Sequence, residues 1–166
     1  MKKNLLLTLT LCLLAQWSVA QAPKWVEKAK RAVFSVVTYD ESDKILNTGN
    51  GFFVTEDGMA LSDYSLFKGA QRAVVINSEG EQMPVEVIMG ANDMYDVVKF
   101  RVAISGKKVP ALVVSPTAPT VGTSVYLLPY STQKDRSYTA GQVKEESKVE
   151  GQYLSLIHIS EPTRPY

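Results

Sequence analysis

The stretch Gly49–Val102 constrains the chain most, because its apolar residues come in short runs broken by turn chemistry. Phe52, Phe53 and Val54 lead to the pair Asp57-Gly58, and Met59, Ala60 and Leu61 resume the run after it. Asp-Gly readily takes the φ > 0 conformation of a tight turn, so the pattern predicts a β-hairpin. A second hairpin is predicted where Ala73–Ile76 and Met83–Met89 flank the polar turn Ser78-Glu79-Gly80-Glu81. Val97–Val102 ends on strict apolar–polar alternation, the mark of a half-buried strand.

The flanking segments carry further elements. Ala32–Tyr39 is rich in β-branched and aromatic residues and predicts a first strand, with Asp40–Thr48 a polar loop after it. Lys24–Ala32 has Trp25, Val26, Ala29, Ala32 and Val33 at helical spacing, and Pro23 suits a helix start. A helix this short, about two turns, is expected to pack against the strands rather than lie on anionic lipid. Pro110–Val114 reads as another strand, Ser115–Thr120 as a connector punctuated by Pro116 and Pro119, and Tyr138–Val143 as a later strand.

Length and composition allow one ordinary domain: 166 residues, 45% apolar. A net charge of +1 without a basic block argues against nucleic acid as a partner. Residues 1–20 have the form of a secretory signal peptide, with Lys2 and Lys3 before the apolar core Leu5–Ala15 and a small-x-small site at Ser18-Val19-Ala20. The expectation is a mature chain from Gln21, secreted across the inner membrane to the periplasm or cell surface, with no membrane span after cleavage. Cys12 is the single cysteine and lies in that leader, so the mature chain has no disulfide and no thiol nucleophile.

Gly49, Gly51, Phe52, Asp57, Gly58 and Leu61, followed by Asp93 and Asp96, resemble the first barrel of trypsin-like serine proteases, most closely the bacterial Do/HtrA type. The resemblance implies an all-β fold, a trypsin-like antiparallel β-barrel followed by an incomplete second barrel. The implied layout is a helix over 21–31, the first barrel over 32–109 and part of the second over 110–153. Val121-Gly122-Thr123-Ser124 is similar to the start of the family's second barrel, and Thr139–Val143 to its Thr-x-Gly-x-Val strand. The resemblance puts the catalytic aspartate at Asp96 and the catalytic histidine at Ser65, where this chain departs from the family.

The tail, residues 154–166, is expected to be foreign to the gene. Leu154–Arg164 reads as the translation of a transposase-end adapter used in preparing sequencing libraries. On that reading the native sequence stops near Tyr153, further C-terminal domains are missing, and His158, the single histidine, carries no catalytic meaning. A native strand over Leu154–Ile159 is the alternative.

A serine protease needs a Ser hydroxyl to attack, a His to take its proton, an Asp to orient that His, and backbone N–H groups for the oxyanion. Ser65 cannot act as the base, since an alkyl hydroxyl is not basic near neutral pH where imidazole titrates. Lys68 is nearby in sequence, but a loop lysine stays solvated and protonated. The family's nucleophile motif Gly-x-Ser-Gly-Gly does not occur in the chain. Asp96 is therefore read as a carboxylate accepting backbone hydrogen bonds at a strand start, with no histidine to orient. Asp40, Glu41 and Asp43 lack the ligand spacing of a calcium loop, and Gly49-Asn50-Gly51 precedes a strand rather than opening a phosphate-binding helix. No metal and no cofactor are expected. Tyr126, Tyr130, Tyr138 and Tyr153 suit either a peptide groove or cross-strand packing. Two functional readings stay open: an inactive exported relative that binds peptides or unfolded proteins, and an active serine endopeptidase of the periplasm.

Overall fold

The computed structural model describes residues 24–130, 138–146 and 157–159. Helix α1 (Lys24–Lys30) precedes six strands, β1 (Val33–Tyr39), β2 (Ile45–Phe53), β3 (Met59–Asp63), β4 (Arg72–Ile76), β5 (Gln82–Asn92) and β6 (Val97–Val102). They close an antiparallel barrel in the order β1-β2-β3-β6-β5-β4. A turn of 3-10 helix, Tyr64–Phe67, links β3 to the approach to β4. The chain is all-β as the sequence predicts, with α1 its one α-helix among the described residues.

Closure follows from the two-residue period. On β6, Val98, Phe100 and Val102 are buried while Val97 and Lys99 face out. The inward residues of the other strands complete one core: Phe34, Val36, Phe53, Ala60, Val75 and Met83. Phe34 sits at its centre, edge-on to Phe53 at 4.6 Å and Phe100 at 6.3 Å between ring centroids. Such edge-to-face pairs add about 0.5–1.5 kcal/mol each beyond the area they bury.

The first predicted hairpin forms between β2 and β3, with Gly51 opposite Ser62 and Phe53 opposite Ala60. Gly58 takes φ +91 in the turn, which a side chain would resist. Gly80 does the same, at φ +82, in the second hairpin.

Two boundaries differ from the sequence reading. The loop placed at Asp40–Thr48 is only Asp40–Lys44, because β1 pairs with β2 all the way from Val33↔Phe52 to Tyr39↔Ile45. The Asp40 carboxylate closes it, accepting the N–H groups of Ser42 (2.8 Å) and Lys44 (3.0 Å). This end of β2 is largely exposed, Ile45 and Leu46 included, so it shows no inward–outward alternation to read. Second, Pro110–Val114 forms no strand. Pro110 has no N–H to give, and the segment bonds singly, through Val109 N–H to Glu56 O (3.1 Å) and Leu112 N–H to Phe53 O (2.8 Å). Val113 is 96% exposed.

Beyond this connector lies a three-stranded sheet, β7 (Ser124–Leu127), β8 (Thr139–Glu146) and β9 (Ile157–Ile159). β9 falls in the tail read as adapter-derived. It pairs with β8 at Val143↔Ile159 and Glu146↔Ile157, a matter of conformation that is neutral on the origin of the residues. Helix α1 joins the barrel to this sheet. Val26 and Ala29 are buried, and the Trp25 ring meets Tyr126 of β7 edge-on at 5.0 Å. Residues 1–20, most of the loop Tyr130–Ser137, and Tyr153 lie outside the described residues. Among those described, no helix is long and apolar enough to cross a membrane.

Candidate functional site

The antiparallel register of β3 and β6 builds the site. It sets Asp63 opposite Val97, so the residues just past that pair, Tyr64 and Ser65 on one side and Asp96 on the other, meet at the barrel rim. Tyr64 N–H donates to the backbone carbonyl of Asp96 at 3.1 Å. Ser65 then takes both carboxylate oxygens of Asp96. Its backbone N–H donates to Oδ1 at 2.6 Å, and its hydroxyl donates to Oδ2 at 2.8 Å. The two residues are 31 positions apart, and the fold brings them together.

Asp96 has φ +51, in the left-handed region where Asp is tolerated better than most residues. Such a conformation costs of order 1–3 kcal/mol and persists where surroundings hold it. Here the turn Asp93–Asp96 must swing β5 back into β6, and the Ser65 bonds fix its last residue.

The turn carrying Ser65 is itself anchored from below. The buried Thr38 donates its hydroxyl to Leu66 O at 2.9 Å, and the Asn47 amide donates to the same oxygen at 3.2 Å. The Leu66 side chain lies against Gly49, where a Cβ would collide with it. A Cβ at Gly51 would stand 2.5 Å from the Phe34 ring and 2.8 Å from Leu61 O. The Gly-x-Gly of the motif thus lies within β2, as close-approach positions and not as a phosphate loop. Phe67 completes the anchor against Phe100, 5.1 Å between centroids.

Electrostatics follow from these contacts. The Ser65 N–H and hydroxyl hold the Asp96 carboxyl below the usual carboxylate range, with the Lys68 charge adding to the effect. Burial, reinforced by the nearby Asp96 charge, pushes Asp63 up. Lys68 is paired with Asp93 at 2.5 Å and lies over the Tyr64 ring at 5.2 Å. The Asp93 contact raises its pKa, so it is a stable cation and not a proton acceptor.

Chemically the corner orients a hydroxyl. A carboxylate that accepts from a hydroxyl fixes that hydroxyl as a donor, and no imidazole stands between them. The chain's single histidine, His158, is on β9, which pairs with β8 and not with the barrel. Among the described residues no group of His, Cys, Asp and Glu is placed to hold a metal ion. Asp43, from the acidic loop, is engaged by Arg72 at 2.7 Å. Of the four tyrosines, Tyr126 and Tyr138 pack against each other at 5.9 Å, and the Tyr130 hydroxyl donates to Asn77 O at 3.4 Å.

Sequence reasoning picked out Ser65, Lys68, Asp93 and Asp96. It missed Thr38 and Asn47. Thr38 carried a weak signal, a lone hydroxyl on the face of β1 shared by Phe34 and Val36. Asn47 carried none, since its role depends on a turn 19 positions away.

Set against known families, residues 49–165 match the model of the trypsin-like peptidase domain. The match spans more than two thirds of the chain and contains the whole Ser65–Asp96 corner. No curated protein matches the chain.

Proposed function

The chain belongs to the trypsin-like peptidase domain family, and we propose that it is an exported, proteolytically inactive member of the Do/HtrA type that binds peptides or unfolded proteins. One observation carries this reading. Both oxygens of the Asp96 carboxylate are held by Ser65, at the place where the family resemblance puts the histidine the aspartate would orient. A hydroxyl there supplies no general base, and Lys68, tied to Asp93, supplies none either. The corner is retained as a structural clasp between β3 and the β5–β6 turn, which explains how the aspartate outlives the chemistry. Export is supported by the residue pattern of positions 1–20. The peptide-binding part of the reading rests on analogy with the family's fold.

The test is a paired assay on the full chain, with a serine-directed fluorophosphonate for covalent labelling and unfolded β-casein for binding and cleavage. The expected result is β-casein binding by fluorescence anisotropy with no label and no fragments. Stoichiometric labelling, or casein fragments that disappear in Asp96→Asn, overturns inactivity and supports the active endopeptidase.

A further inference from the structure

We propose that the outer run of β5, Glu86–Asn92, is an open sheet edge that takes an extended peptide as an added strand, with an aliphatic side chain of that peptide seated in the cleft beside it. The proposal rests on the peptide-binding reading above and gives it a place and a chemistry.

The longest strand of the barrel has unequal neighbours. β6 pairs with β5 from Val85 to Asn92, whereas β4 pairs with it only at Pro84, Met83 and Gln82. From Val85 outward, β5 therefore has a strand on one side only among the described residues. The cause is local. A bulge between Val85 and Val87 turns the strand away just past its last partner on β4, Pro84. β4 ends at Arg72, and the preceding Gln71 donates its N–H to Tyr39 O instead.

An unpaired edge offers a row of backbone donors and acceptors to any extended chain. Natural edges are commonly blunted by lysines or kept short. This one is neither, although bulges lie between Val85 and Val87 and between Ile88 and Gly90: it carries a single charge, Glu86, and Val87, Ile88 and Met89 are 47, 45 and 54% exposed. Where β4 and β5 part, a cleft of about 260 Å³ opens, lined by Tyr64, Phe67, Ala73, Val85, Ile88 and Val98. That is smaller than the roughly 300–1,000 Å³ of small-molecule sites, and suits one side chain or two. Its aromatic wall belongs to the turn that carries Ser65.

Charge selects the occupant. Arg72 at the cleft is paired with Asp43 and lies 3.6 Å from the Tyr39 ring centroid. Glu86 has no ion pair among the described residues, so the rim favours a basic residue beside the aliphatic one. A second copy of the chain does not answer this, because Glu86–Asn92 contains no Lys or Arg.

The probe is a short fluorescein-labelled peptide alternating valine with serine and lysine, titrated into the full chain and followed by anisotropy. Saturable binding is expected. N-methylating every second amide of the peptide in one phase removes the bonds to β5 and weakens binding at least about tenfold, while the opposite phase binds like the parent. Glu86→Lys shifts preference to a peptide with glutamate in place of lysine. Methylation in both phases without effect overturns the added strand, and this control does not depend on any variant folding. Dimerisation that Ile88→Arg abolishes, without peptide binding, overturns it in favour of self-pairing. If β-casein binds and the peptide does not, the edge proposal falls alone; if neither binds, the peptide-binding reading falls with it.

Discussion

The barrel and the β7–β8–β9 sheet are both built from antiparallel strands and end up in opposite conditions. In the barrel, β1 has β2 on one side and β4 on the other, so the sheet closes and its inner face holds Phe34, Phe53 and Phe100 at 1% exposure or less. In the second sheet, Val143 is the one buried residue among those described, and Leu127 stands in solvent. Composition contributes, since β8 has only Ala140 and Val143 as apolar residues, but closure decides how much of an apolar face is buried. A sheet closed on itself buries one face and pairs its strands on both sides except where β5 outruns β4, whereas three strands bury little unless something covers them.

The widest separation is expected from truncating one side chain in each region. Phe100→Ala should lose about 3–5 kcal/mol, the cost of a large cavity in a packed core, and Leu127→Ala less than about 0.5 kcal/mol, as at an exposed site. Urea unfolding of both variants checks this. Equal losses would mean that the second sheet is packed as tightly as the barrel.

Next in size is Gly51→Ala, where the methyl meets the Phe34 ring and the Leu61 carbonyl. Overpacking of this kind costs about 1–3 kcal/mol. It should also loosen the Ser65 turn, seen as faster amide exchange at Ser65.

The seam between the regions is sharpened by Lys30. Its Nζ is buried without a hydrogen-bond partner among the described residues, 5.9 Å from the Tyr138 ring centroid. Lys30→Met should therefore stabilise the chain, by about 1–2 kcal/mol, because an unpartnered buried cation is costly and the replacement fills the same space. A loss of stability would show that the contact with Tyr138 outweighs desolvation.

The smallest effect is a titration. The Asp96 pKa is depressed in the fold by Ser65, so its contribution is present above the unfolded carboxylate value and is lost as pH falls through the folded value. Ser65→Ala removes the hydroxyl bond and keeps the N–H bond, so the Asp96 pKa should rise part of the way to its ordinary value. Carbon-detected NMR titration of the carboxyl reads this. Asp96→Asn should at the same time let the Asp63 pKa fall, since the Asp96 charge helps hold it up.

Residue pattern alone was enough for the strands of the first barrel, because two-residue alternation at Val98–Val102 and turn glycines at Gly58 and Gly80 are local properties of the chain. The positions Ser65 and Asp96 were singled out through the family resemblance, and the fold brings them together. Other features depended on what folds opposite. The largely exposed start of β2, residues 45–49, is a strand only because β1 pairs with it, and Pro110–Val114, apolar enough for a strand, meets its neighbour through the single bond Leu112 N–H to Phe53 O. Thr38 and Asn47 meet on the Leu66 carbonyl only once β1, β2 and the turn are in place. The open edge of β5 is set by where β4 departs. Sequence by itself determined which residues alternate, turn and approach closely, since these are steric properties of short segments. Tertiary structure alone decided which edges are paired and which carboxylates are held, because both depend on partners far along the chain.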